Sequence, residues 1–210
     1  MKRSEINSII KRFESQIQTY KYNSKLTSKK NEINCIRCDS AKWYVNDFNF
    51  GNYNNIGMTF VDISDNSDDL TYNQHKVQRI LFIEPGQTIP VHYHKNKTEH
   101  IYNIGNNKIY LRLCNADQNK NFEQSDVYIQ YNGNKYSITA ASLFTFWPGD
   151  ELIIPPYCFH GFITSKENNP GVVGEISSEL SNDINFFDEL EWMPNIEEDA
   201  EPYRTLITDI

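Results

Sequence analysis

Three histidines and one glutamate lie in two separate stretches at spacings typical of metal ligands. His92 and His94 are two residues apart, and Glu99 follows five residues later in the stretch EPGQTIPVHYHKNKTEHIYNIG. His160 ends a second stretch, WPGDELIIPPYCFH. Successive side chains of a β-strand point to opposite faces, so His92 and His94 can share one ion. A turn over residues 95–98 would bring Glu99 back to the same place.

Three imidazoles and one carboxylate suit a borderline divalent metal such as Mn, Fe, Co, Ni or Zn. If the coordination is octahedral, two positions stay open for a ligand. The alternative is that a His-x-His pair on a strand is simply two hydrogen-bonded polar side chains. Because three of the five histidines of the chain fall on this spacing together with the glutamate, we predict a metal site.

The two stretches resemble the two motifs of the cupin superfamily, G(X)5HXH(X)3–4E(X)6G and G(X)5PXG(X)2H(X)3N. All four ligand positions match, and so do the opening glycines and the proline, which are Gly86, Gly149 and Pro155. Three positions depart from the pattern: Gly105 comes one residue early, Tyr157 stands in place of a glycine, and Thr164 stands in place of an asparagine. The resemblance implies an all-β cupin fold, a double-stranded β-helix or jelly-roll barrel with the metal inside.

The elements that must hold these residues are short strands. From Ala41 onwards, apolar or alternating runs recur every eight to twelve residues between turn residues, which is typical of an antiparallel sandwich or barrel. Asn132-Gly133-Asn134 predicts a hairpin turn, and the acidic residues 64–74 predict an exposed loop. Besides the first metal stretch, strands are predicted at residues 43–45, 57–63, 77–84, 108–115, 127–131, 135–139, 142–146, 152–154, 159–164 and 172–177.

The first forty residues differ from the rest of the chain. Residues 4–20 predict an amphipathic helix with Ser4 as its N-cap, because apolar residues recur at three- and four-residue spacing. Residues 21–40 are polar and predict an arm. We therefore divide the chain into residues 1–40, a helix and arm packing on the barrel or on a partner subunit, and residues 41–210, the barrel. The apolar run at residues 203–207 should pack back on the barrel.

Composition restricts the partners. A net charge of −8 argues against nucleic acid and anionic membranes, which select basic surfaces, and favours a small neutral ligand. We expect neither a signal peptide nor a membrane span at the start of the chain, because charges interrupt every apolar run. Cys35 and Cys38 have CxxC spacing, but no second pair completes a zinc site, so two ordinary thiols are expected. We predict a cytoplasmic protein, or one in the host cytosol if its source is viral.

A metal with two adjacent open positions can chelate two oxygens on neighbouring carbons of a sugar. The ion polarises the carbonyl, which acidifies the adjacent C–H. A carboxylate that does not bind the metal can then carry a proton between the two carbons. Glu175 is the candidate, because a charged residue within the apolar run GVVGEIS is costly unless it is paired or functional. The alternative is an outward-facing strand residue.

The whole chain resembles the D-lyxose isomerases, which are Mn-dependent cupin ketol-isomerases acting on D-lyxose and D-mannose. The segments that carry the resemblance are MKRSEI, WYVNDFNFGNYNNIGM, EPGQTIPVHYHKNKTEHIYNIG, PPYCFHGF, GEIS and PNIEEDAEP. The resemblance implies that Lys97 lies beside the sugar oxygens, that Glu175 is the proton-transfer base and that the protein is a homodimer paired partly through its N-terminal arm. It also implies that the metal, most often Mn²⁺, is held by His92, His94, Glu99 and His160.

One departure concerns substrate binding. After GE[VI]S the family commonly reads Asp-Asn-Arg-Phe, and its aspartate and arginine reach the sugar. This chain reads Asp183-Ile184-Asn185-Phe186, so Asp183 aligns as a substrate contact and the arginine has no counterpart. Arg79 or Arg204 could replace it.

The predicted reaction is the interconversion of D-lyxose and D-xylulose, and of D-mannose and D-fructose, through an enediol. Two other functions remain open. A cupin dioxygenase uses the same ligand set around iron or nickel, and a non-catalytic sugar-binding cupin could keep its metal. Glu175 and Lys97 favour the isomerase, because a sugar needs polar partners that an oxygen-activating apolar pocket does not. The lack of a basic cluster near the motifs favours a free sugar over a sugar phosphate.

Overall fold

A computed structural model of the protein describes residues 1–17, 41–62, 77–166, 169–177, 184–186, 190 and 193–209. These residues form one α-helix, a short 3-10 helix at Ile207–Asp209 and a series of short strands. In chain order the elements are α1 (Arg3–Ile17), β1 (Lys42–Asn46), β2 (Met58–Asp62), β3 (Val77–Ile83), β4 (Thr88–His94), β5 (Glu99–Asn103), β6 (Ile109–Ala116), β7 (Phe122–Glu123), β8 (Val127–Tyr131), β9 (Asn134–Ile138), β10 (Leu143–Phe146), β11 (Glu151–Ile154), β12 (Cys158–Ile163), β13 (Gly171–Ser177) and β14 (Ile184–Phe186).

The strands pair antiparallel in two sheets. The larger sheet has the order β1-β2-β3-β13-β5-β11-β8-β9, and the smaller has the order β10-β6-β12-β4-β14, with β7 added beside β6. Alternate side chains from both sheets meet in one apolar core, which includes Phe60, Ile101, Leu113, Phe146 and Phe162. The predicted all-β jelly-roll barrel of cupin type is confirmed, and the short strands β7 and β14 were not anticipated.

The helix α1 packs on the outer face of the larger sheet. Phe13 is fully buried, with its ring centroid 5.2 Å from that of Trp43 in β1 and 4.3 Å from that of Phe82 in β3. The remainder of the predicted helix and the whole of the predicted arm, residues 18–40, lie outside the described residues. The division of the chain at residue 40 stays a prediction.

The predicted N-cap at Ser4 is wrong, because α1 begins one residue earlier, at Arg3. The backbone N–H of Ser4 donates to Asp199 Oδ1 at 2.8 Å, and its hydroxyl donates to Asp199 Oδ2 at 2.7 Å. Glu5 accepts from the backbone N–H of Lys2 at 3.0 Å. The first turn is therefore capped by a carboxylate nearly two hundred residues away in sequence, which spacing along the helix could not indicate.

The last described segment, residues 193–209, runs along α1 and fastens it. Arg3 bonds Glu198 at 2.6 Å and Asp209 at 2.8 Å, while Arg204 bonds Glu14 at 2.8 Å. Leu206 is fully buried among the residues beneath the helix. The expectation that the final apolar run packs back on the barrel is met.

The turn between β8 and β9 is a two-residue hairpin. Asn132 and Gly133 have φ angles of 48° and 78°, which is the left-handed pair that a type I′ turn requires. The Asn-Gly dipeptide favours this turn locally, and hydrogen bonds from Asn132 to Asp150 and with Glu151 add to it.

Candidate active site

The three predicted histidines come together inside the barrel. β4 and β12 are neighbouring antiparallel strands, and His92 lies directly opposite His160. His94 follows two residues further along β4 and points to the same face. One ring nitrogen from each of the three histidines lies within 4.8 Å of the other two, and all three residues are buried.

Backbone carbonyls orient two of the rings. His92 Nδ1 lies 2.8 Å from the carbonyl oxygen of Pro90, and His160 Nδ1 lies 3.0 Å from that of Cys158. A carbonyl oxygen only accepts, so each Nδ1 carries the hydrogen and donates it. The lone pair of each Nε2 then faces the common centre, which is the arrangement by which proteins orient metal-binding histidines.

Glu99 joins the histidines from the first position of β5. Its Oε1 lies 3.1 Å from His94 Nε2, and its Oε2 lies 3.0 Å from His160 Nε2. Burial opposes its ionisation, but the Lys97 ammonium and the neighbouring histidines hold the pKa of Glu99 well below its usual value. Burial, followed by the neighbouring histidines, lowers the pKa of His92 well below its usual value. A carboxylate and three imidazole rings thus converge, and this donor set fits a borderline divalent ion.

Lys97 and Glu175 lie next to this cluster. Lys97 is 2% exposed, and its Nζ lies 2.8 Å from Glu99 Oε1 and 2.5 Å from Glu175 Oε1. Burial disfavours the ammonium, but the carboxylates of Glu175 and Glu99 raise the pKa of Lys97. Glu175 is 5% exposed and faces the barrel interior from β13, so the alternative of an outward-facing strand residue is wrong.

Arg79 extends the charged cluster on the far side of Glu175. It lies opposite Glu175 in the pairing of β3 with β13, and opposite Asp62 in the pairing of β2 with β3. Directly opposite residues of antiparallel strands share one face of the sheet. Asp62, Arg79 and Glu175 therefore form one row across three strands, here called the charged row. With Lys97 and Glu99 it gives an alternation of negative and positive groups that leads to the histidines.

Of the two arginines considered as replacements for the missing family arginine, only Arg79 lies at the candidate site. Arg79 is 6% exposed and lines the same cavity as the histidines. Arg204 pairs with Glu14 at the helix α1 instead. A signal for Arg79 exists in the sequence, because it interrupts the inward face of the apolar run VQRILFI as Glu175 interrupts that of β13. Asp183 lies outside the described residues.

A single buried cavity joins these groups. Its polar wall runs from the histidines past Lys97 and Glu175 to Arg79. The other wall is apolar and consists of Met58, Phe60, Leu81, Ile101 and Phe162. Polar groups on one side and apolar groups on the other match the hydroxyls and C–H groups of a small sugar. The cavity has a volume of about 20 Å³, room for about one water, so its walls must move for a sugar to enter.

Tyr157 and Thr164 stand where the second motif usually has glycine and asparagine, and hydrogen bonds hold both residues in place. Tyr157 adopts a φ of 57° where the motif has glycine, a conformation that costs a non-glycine residue on the order of 1 kcal/mol. Its N–H donates to the carbonyl of His94 at 2.8 Å, and its carbonyl accepts from the N–H of Ala116 at 2.8 Å. Thr164 donates through Oγ1 to the carbonyl of Glu84 at 2.5 Å. The turn that positions His160 is thus held without the usual glycine and asparagine.

Comparison with known proteins gives one family over the full length. A family model described as D-lyxose isomerase matches residues 1–210. The D-lyxose/D-mannose isomerase of Escherichia coli O157:H7 is 29% identical over 168 residues, which cover 79% of this chain and 74% of the relative. That of Serratia proteamaculans is 26% identical over 163 residues, which cover 76% and 72%.

Solved structures with the same fold include two L-ribose isomerases. The enzyme of Geodermatophilus obscurus aligns with a TM-score of 0.62 at 13% identity, over 94% of this chain and 98% of its own. The enzyme of Acinetobacter sp. DL28, determined in complex with L-ribose, aligns with a TM-score of 0.59 at 15% identity over the same shares. No helix among the described residues is long and apolar enough to cross a membrane.

Proposed function

The chain belongs to the D-lyxose isomerase family, and we propose that it interconverts D-lyxose with D-xylulose and D-mannose with D-fructose in a metal-dependent reaction. It is an aldose–ketose sugar isomerase. The observation that carries the proposed chemistry is the placement of Glu175, a buried carboxylate in the same cavity as the histidine cluster and held there by Lys97 rather than by a histidine.

His92, His94, Glu99 and His160 would hold the ion, since their donor atoms converge in the barrel. Mn²⁺ is proposed from the resemblance, while Fe, Co, Ni and Zn suit the same ligand types. When bound, the ion supplies a Lewis acid for the carbonyl and hydroxyl oxygens on C1 and C2 of the sugar.

Glu175 takes the proton from one of these two carbons and returns it to the other. A single carboxylate suffices for this transfer because C1 and C2 are adjacent, and the second proton of the isomerisation passes from the hydroxyl on C2 to the oxygen on C1. Lys97 holds the Glu175 carboxylate through its 2.5 Å contact, so the oxygen that moves the proton has a fixed position. The ammonium also donates toward the sugar oxygen at which negative charge develops. The apolar wall of Phe60, Ile101 and Phe162 limits the access of water to the transferred proton, so only part of it exchanges with solvent before it is returned.

The same cavity disfavours a dioxygenase. Arg79, Lys97 and Glu175 line it together, and molecular oxygen offers no hydroxyls for them to bind. A free sugar is favoured over a sugar phosphate, because the two cations already face three carboxylates, those of Asp62, Glu175 and Glu99. A phosphate would add negative charge where no positive charge is in excess. Assembly as a homodimer and a cytoplasmic location are proposed with this function.

The test is a panel of aldoses and ketoses incubated with the purified protein and Mn²⁺. We expect interconversion of lyxose with xylulose and of mannose with fructose, with deuterium from heavy water appearing at C2 of the aldose. A sample that binds Mn²⁺ but converts none of these sugars would support the sugar-binding alternative. Oxygen consumption by an iron-loaded sample would support the dioxygenase.

A further inference from the structure

We propose that Arg79 binds the hydroxyls at the end of the sugar away from the metal, and that Asp62 positions the Arg79 guanidinium for this task. The inference rests on the proposed function and extends it, since it assigns the second end of the substrate site. Arg79 would thereby determine how long and how hydroxylated a substrate must be.

The position of Arg79 follows from the strand order. β13, which carries Glu175, lies between β5 and β3 in the larger sheet. Lys97 and Glu99 lie on the β5 side, toward the histidines, and Arg79 lies opposite Glu175 on the β3 side. Neighbouring strands are about 4.8 Å apart, which an open-chain pentose can span. A sugar that has C1 and C2 beside Glu175 and lies along this row of residues would bring its distal hydroxyls to Arg79.

The guanidinium is fixed before any ligand arrives. Its Nε donates to Asp62 Oδ1 at 2.5 Å, and its central carbon lies 4.6 Å from the centroid of the Phe60 ring. Phe60 in turn stacks on Tyr44 with centroids 4.9 Å apart. A planar group held at one edge and against one face keeps its orientation, so binding a ligand costs little conformational entropy.

Among the residues that the structure describes, none accepts a hydrogen bond from the two terminal nitrogens of Arg79. Within the described part of the chain, its only hydrogen bond runs from Nε to Asp62, and the residue lines the cavity. The terminal nitrogens of a guanidinium donate in a fixed fork, which matches two acceptor oxygens side by side. Vicinal hydroxyls of a sugar supply such a pair. A shorter substrate would leave these buried donors without acceptors, and this makes the site selective for length.

The experiment compares a full-length sugar with a truncated one. In Arg79→Met, kcat/KM for D-lyxose should fall on the order of 10- to 100-fold, the loss expected for hydrogen bonds from a charged donor. D-Glyceraldehyde, which carries C1 and C2 but lacks the distal hydroxyls, should lose less activity than D-lyxose, so the ratio of the lyxose kcat/KM to the glyceraldehyde kcat/KM should fall on the order of 10-fold. The matched control is Arg112→Met, which changes an exposed arginine of β6 on the outside of the barrel and should alter neither substrate's rate.

Equal losses for both substrates would assign Arg79 a structural role, and no loss for either would also overturn the proposal. A second measurement works without turnover: calorimetric affinity of a pentitol and of glycerol for Glu175→Gln, with and without Arg79→Met. Adding Arg79→Met should lower the affinity for the pentitol and leave the affinity for glycerol unchanged. If the wild type isomerises no sugar, the proposed function fails while this binding comparison still tests Arg79.

If Arg79→Met does not fold, two further variants test the same role of Arg79. Arg79→Lys keeps the charge and loses the fork, and Asp62→Asn combined with Arg79→Gln removes both charges of the pair. Each should lower the ratio of the lyxose rate to the glyceraldehyde rate. Asp62→Asn alone should raise KM for lyxose with little change in kcat, because the guanidinium is then present but less well oriented.

Discussion

The ammonium of Lys97 lies between two buried carboxylates, 2.8 Å from Glu99 Oε1 and 2.5 Å from Glu175 Oε1. The first carboxylate belongs to the predicted metal ligands, and the second is the proposed base. One side chain therefore couples the geometry of the metal site to that of proton transfer.

Changing Glu175 to glutamine should abolish catalysis and leave the metal site intact. The amide keeps the shape of the side chain but cannot accept the proton, so isomerisation should fall by at least ~100-fold, the contribution of a positioned base. Activity and metal content would be measured together, with Glu123→Gln, an exposed change in β7, as the control. Activity that survives Glu175→Gln would show that another group moves the proton.

Changing Lys97 to methionine should destabilise the metal-free protein by about 3–5 kcal/mol, because two carboxylates are left buried without their cation. The free energy of unfolding would be measured in urea. Combining the change with Glu175→Gln should restore part of the loss, since one of the two stranded charges is removed. An additive double variant would argue against the Lys97–Glu175 contact.

Divalent metal should raise the melting temperature of the wild type, because a ligand that binds only the folded state stabilises it by mass action. Glu99→Gln and His160→Gln should each bind less Mn²⁺ and lose most of this increase. His100→Gln is the control, because His100 neighbours Glu99 in sequence but lies on the opposite face of β5. Chelation by EDTA should reverse the increase in the wild type. Undiminished metal content in the Glu99 and His160 variants would refute the assigned ligands.

The contact between α1 and the C-terminal segment should weaken in acid. Hydrogen bonds from Ser4 hold the pKa of Asp199 below its ordinary 3.8, and a hydrogen bond from Arg3 holds that of Glu198 below its ordinary 4.5. Because both values are lowered on folding, their stabilisation is complete above these ordinary values and is lost as the pH falls below them.

Amide hydrogen exchange can test this at Ser4. Its protection relative to the barrel strands should decrease on acidification in the wild type and be low at every pH in Asp199→Asn. Asp117→Asn is the control, because Asp117 also has a lowered pKa but lies in the distant turn with Asn121. Protection at Ser4 that does not change with pH would contradict the expected contribution of Asp199.

Local patterns predicted the parts of the site that lie on single strands. His92 and His94 share a face because strand geometry has a period of two, and Glu175 stands out because it interrupts an apolar run. The positions of Arg79 and Asp199 depend on which distant strands and segments become neighbours. Spacing along the chain contains no such information, so the predicted cap of α1 is wrong. Arg79 interrupts the apolar run VQRILFI, but this interruption does not indicate that Asp62 and Glu175 lie beside it.

The alternation of charge along Asp62, Arg79 and Glu175 also bears on engineering. Replacing any one of the three alone leaves a neighbour with an uncompensated charge in a buried site, so a single substitution that alters sugar preference also lowers stability. A directed-evolution library that seeks new substrates should therefore randomise Asp62 and Arg79 together and keep Glu175 fixed. A change of charge at one of these two positions then has a compensating change available at the other.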